Sequence, residues 1–256
     1  MSAPSPDLSE SPEGWVDPEI LASIKTLPTE DDLPYDDGEP MESPRHRDQM
    51  VLLIESLNIA WADRQRYYVS GNMFVYYAAY DTKKFVGPDF FLVLDVENRE
   101  RKSWTVWFED SRSPDLIIEL LSDSTRARDK GEKKTLYARH LRTAEYYLYD
   151  PFSQEFTGYR LHGLEYQEIT PDAERTIYSQ VTGLSLGVRD QRLRWITPEG
   201  VVVPTPQELA QQEHQRAEQE HQRAEQERQR AEQERQRAEQ AEQLLEEYRR
   251  RFGSLA

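Results

Sequence analysis

Three ionisable side chains lie where apolar neighbours make charge expensive. Asp89 follows Pro88 inside FVGPDFFLVLDV (85–96), Glu119 lies inside SPDLIIELLS (113–122), and Lys133 belongs to the helical segment that comes next. Runs this apolar read as central strands covered on both faces. An ionised carboxylate inside such a strand needs a partner, and two that converge from neighbouring strands repel unless a divalent cation lies between them. Carboxylate oxygens suit hard Mg²⁺, with Mn²⁺ as the second candidate, and Mg²⁺ keeps several waters, one of which can act as nucleophile. A nearby lysine could orient or deprotonate that water and offset phosphate charge. From the residues alone a structural reading stays open. Asp and Glu also occur at strand ends, and Lys133 belongs to the charged run Asp129-Lys130-Gly131-Glu132-Lys133-Lys134.

The elements that must position these groups follow from hydrophobic spacing. After Ser43-Pro44, residues Met50, Leu53, Ile54, Leu57 and Trp61 recur at three- and four-residue steps, which predicts an amphipathic helix over 46–61. RYYVS and MFVYYAAY, joined by Gly71-Asn72, predict a β-hairpin. The 85–96 and 113–122 strands come next, then a helix over 129–141 with Asp129 as its N-terminal cap, then the strand AEYYLYDP. Short strands (EFTGYRL, LEYQEIT, RLRWIT) complete a core ending near Pro206. The expected architecture is α/β: a mixed sheet with 85–96, 113–122 and 144–150 central, flanked by the two helices.

Both ends of the chain differ from this core. Residues 1–45 hold twelve acids and two bases, and eight prolines punctuate them, so 1–42 reads as a disordered, extended acidic arm. That arm could fold over a basic groove and compete with a polyanion. From 207 to 256 the composition changes again. Residues 213–240 are four tandem heptads, EHQRAEQ twice and ERQRAEQ twice, each with a single apolar residue: Ala217, Ala224, Ala231 and Ala238. They predict one continuous helix over 207–252 projecting from the core. It would be either a solvated rod or a thin coiled-coil seam, with Leu244, Leu245, Tyr248 and Phe252 as a better apolar end.

Composition excludes several classes. With 48 acids, 32 bases and a net charge of −16, the chain is strongly acidic, yet residues 46–212 carry only about −4. A uniformly basic nucleic-acid-binding surface is therefore absent. No apolar run reaches the length of a membrane span, and the start of the chain lacks a signal-peptide pattern, which predicts a soluble, cytoplasmic protein with no membrane partner. Zero cysteines remove thiolate metal sites and cysteine nucleophiles, and there is no Gly-rich phosphate loop or G-x-S-x-G elbow. The histidines His46, His140 and His162 show no metal-ligand spacing. The pairs Tyr67-Tyr68 and Tyr76-Tyr77 could stack on bases, but such aromatics more often pack across strands.

GPDFFLVLDV followed by SPDLIIELLSDSTRARDKGEKKTLYARHLRTAEYYLYDP resembles the bacterial Uma family of "putative restriction endonucleases". That family is a branch of the PD-(D/E)XK nuclease superfamily, formerly catalogued as a domain of unknown function. The likeness covers about 43–206: a PD strand, an E-x-L-S strand end, a D-x-x-x-K-x-x-x-Y helix and an E-Y-x-x-x-D-P strand occur in order. It implies a restriction-endonuclease-like domain in which Asp89 and Glu119 bind a divalent metal. With the lysine moved from strand to helix, Lys133 completes the catalytic set, and DNA is the partner. One departure stands out: Leu121 occupies the usual lysine position two residues after the acid. Asp115, of Pro114-Asp115, competes with Asp89 for the first acid. It lies only four residues before Glu119, so the two could not come from separate strands. Tyr137 reads as core. The expected activity is Mg²⁺-dependent DNA hydrolysis. The competing expectation is a non-catalytic scaffold on the same fold that interacts through its C-terminal helix, with self-association through core or helix open in either case.

Overall fold

The computed structural model describes residues 27–35 and 43–253, so most of the acidic arm lies outside the described residues. Two compact units are present, one up to Val203 and one from Pro204 onward. Helix α1 spans Pro44–Ala60; the Ser43 hydroxyl accepts from the His46 N–H at its start, and Pro44 takes the first-turn position where no N–H is needed. Its Leu53 and Leu57 are fully buried against the central sheet.

That sheet has six strands in the order β1-β4-β6-β7-β8-β9: β1 Tyr67–Ser70, β4 Phe90–Leu94, β6 Leu116–Leu120, β7 Glu145–Tyr149, β8 Phe156–His162 and β9 Glu165–Ile169. Only β6 and β7 are parallel; a helical crossover, α2 (126–141), joins them. The three expected strands thus occupy the sheet interior, and mixed pairing is as expected. Alternation sorts the side chains between two cores. Phe90, Leu92, Leu116, Ile118, Tyr147 and Tyr149 face α1 and a three-stranded antiparallel sheet made of β10 (Thr176–Tyr178), β11 (Ser185–Arg189) and β12 (Arg192–Ile196). Phe91, Val93, Ile117, Tyr146 and Leu148 face α2 through Tyr137 and Leu141. With a period of two, Glu119 falls on the α2 face and Glu145 on the other.

The hairpin over 67–80 does not form. β1 pairs antiparallel with β4, whereas β2 (Val75–Tyr76) pairs with β3 (Phe85–Val86) and, in parallel, with β5 (Trp104–Thr105) in a separate small sheet. The link between β1 and β2 is pinned elsewhere: the Asn72 N–H donates to the Pro88 carbonyl, and a Cβ on Gly71 would collide with the Asp89 carbonyl oxygen. β1 contributes four residue pairs to β4, which is buried over most of its length. The 85–96 run also divides into β3 and β4 at Gly87-Pro88, because proline has no N–H for the ladder.

Part of the arm is seated on this small sheet. Leu33 packs against Phe74 and Tyr76, and the Pro28 and Pro34 carbonyls accept from Trp107 Nε1 and the Tyr76 hydroxyl. Glu30 pairs with Arg99 at 2.9 Å and Asp31 with Lys102 at 2.7 Å. The second unit contains α3, Pro206–Phe252, opened by a capping box between Thr205 and Glu208. It is continuous, as its propensities predict, and the side chains from Ala210 to Arg251 are exposed. No helix among the described residues is long and apolar enough to cross a membrane.

Candidate active site

Asp89 lies one residue before β4 rather than inside a strand. Because Phe90 pairs with Ile118, continuing the antiparallel register places Asp89 opposite Glu119. The two residues clasp each other through backbone and side chain: the Leu120 N–H donates to Asp89 Oδ2 at 2.7 Å, and the Asp89 N–H reaches Glu119 Oε2 at 3.4 Å. Glu119 is fully buried. Its Oε1 accepts from the Tyr137 hydroxyl at 2.6 Å and lies 3.0 Å from Lys133 Nζ, which is also 3.0 Å from Asp129 Oδ1.

Asp129, Lys133 and Tyr137 recur every four residues, so they share one face of α2, and that face points at β6. The helix starts at Arg126, earlier than its pattern indicates, and alternates short α and π turns. Asp129 is therefore not the N-cap. Its N–H already donates to the Thr125 carbonyl, and its side chain is buried beside Lys133. Tyr137 is core as expected, yet its hydroxyl belongs to the site. Tyr146, from β7, donates to the Asp129 carbonyl at 2.9 Å.

The electrostatics follow from burial and like charge. Burial, then the facing charge of Glu119, pushes the Asp89 carboxyl well above the usual carboxylate range, and Lys133 only partly offsets this. Asp129 is raised for the same two reasons. Burial alone would pull Lys133 down, but Glu119, Asp129 and Asp89 together outweigh it, so the side chain is a firmly held ammonium. Burial and Glu119 raise the Tyr137 hydroxyl well above its ordinary value and keep it a donor.

The sequence-predicted residues Asp89, Glu119 and Lys133 thus converge. Asp115 does not join them: its Oδ2 accepts from the Leu94 N–H at 2.7 Å, at the opposite end of β4. His46 is buried between Ser43 Oγ (2.7 Å) and the Leu121 carbonyl (3.3 Å), and Tyr67, Tyr68 and Tyr76 are buried in the core. Sequence reasoning missed Asp129, Tyr137 and Tyr146. The four-residue spacing in DKGEKKTLY was the available signal for the first two.

Among the described residues no three His, Asp or Glu side chains converge as a complete metal cage. Two carboxylates are nevertheless what a Mg²⁺ ion requires of a protein, since it keeps most of its waters. Oδ2 of Asp89 accepts from the Leu120 N–H and Oε1 of Glu119 from the Tyr137 hydroxyl, and the two carboxyl groups lie within hydrogen-bonding reach of each other. The other oxygens are Oδ1 of Asp89 and, apart from the long 3.4 Å contact, Oε2 of Glu119. The donor set fits a hard divalent cation.

The family model described as Uma2, "putative restriction endonuclease", matches residues 18–191, more than half of the chain. The chain belongs to that family. Among solved structures it is similar to one described as a "putative nuclease" of the DUF820 family from Anabaena variabilis. The identity is 18%, the match covers 63% of this chain and 89% of that one, and the TM-score is 0.42. No curated protein matches the chain.

Proposed function

We propose that this Uma2 member is a metal-dependent DNA endonuclease, with Asp89 and Glu119 as metal ligands and Lys133 as the catalytic cation. The observation that carries this reading is the pairing of the fully buried Glu119 with the half-buried Asp89 facing it, with a lysine 3.0 Å from Glu119. A fold places like charges together in a dry site only at a cost, and a divalent cation turns that repulsion into ligation. Bound there, Mg²⁺ or Mn²⁺ would supply Lewis acidity and an activated water for phosphodiester hydrolysis. The chain contributes the rest. Asp89, just before β4, and Glu119 on β6 would hold the cation, and Lys133 offsets charge on the phosphate oxygens as the phosphorus–oxygen bond breaks.

Purified protein incubated with supercoiled plasmid and Mg²⁺ or Mn²⁺ should nick it, and Asp89→Ala or Glu119→Ala should abolish the nicking. Wild-type protein inactive with both ions would move the reading to a non-catalytic scaffold; a fully active Asp89→Ala/Glu119→Ala double variant would refute the site.

A further inference from the structure

Helix α2 departs from regular geometry at the two places where it meets the site. π turns at Asp129–Lys133 and Tyr137–Leu141 bracket the single α turn Lys134–Leu136. Such turns are rare, and inside α-helices they concentrate at functional sites. Each is tied down by a tyrosine hydroxyl. Tyr146 donates to the carbonyl of Asp129, the first residue of the first π turn, at 2.9 Å. Tyr137 opens the second and donates to Glu119 Oε1 at 2.6 Å. Both side chains are fully buried, and their rings meet edge to face at 5.3 Å inside the α2-side core. Packing there needs only the rings, which phenylalanine would also supply. A buried hydroxyl is costly unless it is bonded, and these two bond only toward the site.

We propose that Tyr137 and Tyr146 are positioning residues for the Asp89, Glu119 and Lys133 site. Tyr137 fixes the rotamer of Glu119, engaging Oε1 together with Lys133 and leaving Oε2 toward Asp89. Tyr146 fixes the Asp129 carbonyl, and with it the π turn that carries Asp129 and Lys133 onto Glu119. This inference rests on the metal-dependent reading above.

The test titrates Mn²⁺ alone into the full chain, with free Mn²⁺ read by electron paramagnetic resonance, and then measures plasmid nicking at saturating Mn²⁺. Wild type should bind and Asp89→Asn should not. Tyr137→Phe should weaken Mn²⁺ affinity by about tenfold or more, the usual cost of losing a group that orients a metal ligand. Tyr146→Phe should keep its Mn²⁺ affinity and lose about tenfold in nicking rate, because it acts on the lysine rather than the ligands. The control is Tyr166→Phe, which removes a hydroxyl donated to the Thr143 carbonyl at 2.8 Å in the same ring stack, away from the site. It should change neither quantity. Wild-type Mn²⁺ affinity in Tyr137→Phe, an unaltered rate in Tyr146→Phe, or an equal loss in Tyr166→Phe would overturn the proposal while leaving the metal site standing. Wild-type protein that binds no Mn²⁺ would overturn the metal site and this inference with it.

Discussion

Glu119 on β6 and Glu145 on β7 lie on adjacent parallel strands and are equally buried, at 0% and 1% exposure, yet the chain surrounds them differently. Glu145 is saturated with donors. Its Oε1 takes the Arg160 guanidinium at 3.0 Å and the Gln180 N–H at 2.8 Å; its Oε2 takes the Tyr147 hydroxyl at 2.9 Å and the Ser179 hydroxyl at 2.5 Å. Glu119 instead faces a second acid. Its donors, Lys133 and Tyr137, gather on one oxygen, and the other is left to a 3.4 Å contact with the Asp89 backbone. A saturated buried carboxylate ties together the elements that supply its donors. An unsaturated one beside another acid holds capacity for a ligand.

The largest expected difference between the two is in folding. Glu145→Ala leaves the Ser179 and Tyr147 hydroxyls, the Gln180 N–H and a half-buried Arg160 without their acceptor, a loss of roughly 3–5 kcal/mol. In a domain of this size that lowers the melting temperature by roughly 10 °C. Glu119→Ala strands the Tyr137 hydroxyl but also relieves the repulsion among Asp89, Glu119 and Asp129, and Lys133 keeps Asp129, so it should melt closer to wild type than Glu145→Ala while losing metal-dependent activity. Thermal melts of the two variants side by side check this, and a Glu119→Ala protein as destabilised as Glu145→Ala would erase the distinction. Next in size is Lys133→Ala, which should lower the nicking rate by roughly 10²–10³-fold, as expected for removing one electrostatic group from a dry site. A rate within twofold of wild type would exclude Lys133 from the chemistry.

A pH scan sharpens the comparison from a third acid. Burial tends to raise the Asp150 carboxyl, but hydrogen bonds from Ser153 and the Phe152 N–H and the Arg126 guanidinium outweigh it and hold the group down at about 2. Its folded value is depressed, so its contribution to stability is complete above the ordinary carboxylate range near 4 and is lost as pH falls from there toward 2. Asp150→Asn should be less stable than wild type at pH 7, and the gap should close in that acid window. A gap independent of pH would show that the ionic form of Asp150 contributes nothing. The smallest effect is expected from the tail. Without residues 207–256 the remaining domain should melt as before and keep its activity, because helix-former propensity and pairs such as Arg235 with Glu239 at 3.2 Å stabilise α3 within itself. A lowered melt on circular dichroism would contradict that.

What the sequence makes legible tracks how local the determining physics is. The three interior strands and both flanking helices are readable because near-continuous apolar runs and three-to-four spacing have few other uses. Asp89, Glu119 and Lys133 are readable because charge in such runs demands an account. The hairpin misreads because Gly71-Asn72 suits a two-residue turn locally, while the long-range claims of Pro88 and β4 decide the pairing. Asp129 misreads as a cap because the helix extends three residues further back, through Arg126-Ala127-Arg128, than the charge pattern indicates. Glu145 passes unremarked in sequence, since its donors come from residues up to 35 positions away. The spacing of Asp129, Lys133 and Tyr137 marks a shared helix face, but the role of Tyr146 depends on a π turn for which the sequence carries no signature.

The central claim is that Asp89 and Glu119 form a cation site and not a structural pair, and thermal melting with and without Mg²⁺ tests it most directly. A ligand that binds only the folded state at a hundred times its Kd adds about 2.7 kcal/mol, a shift of several degrees in a domain of this size. The wild-type melting temperature should rise by that amount in saturating Mg²⁺, and that of Glu119→Gln should stay where it is. A wild type indifferent to Mg²⁺ and Mn²⁺, or a Glu119→Gln variant that rises equally, would contradict the account.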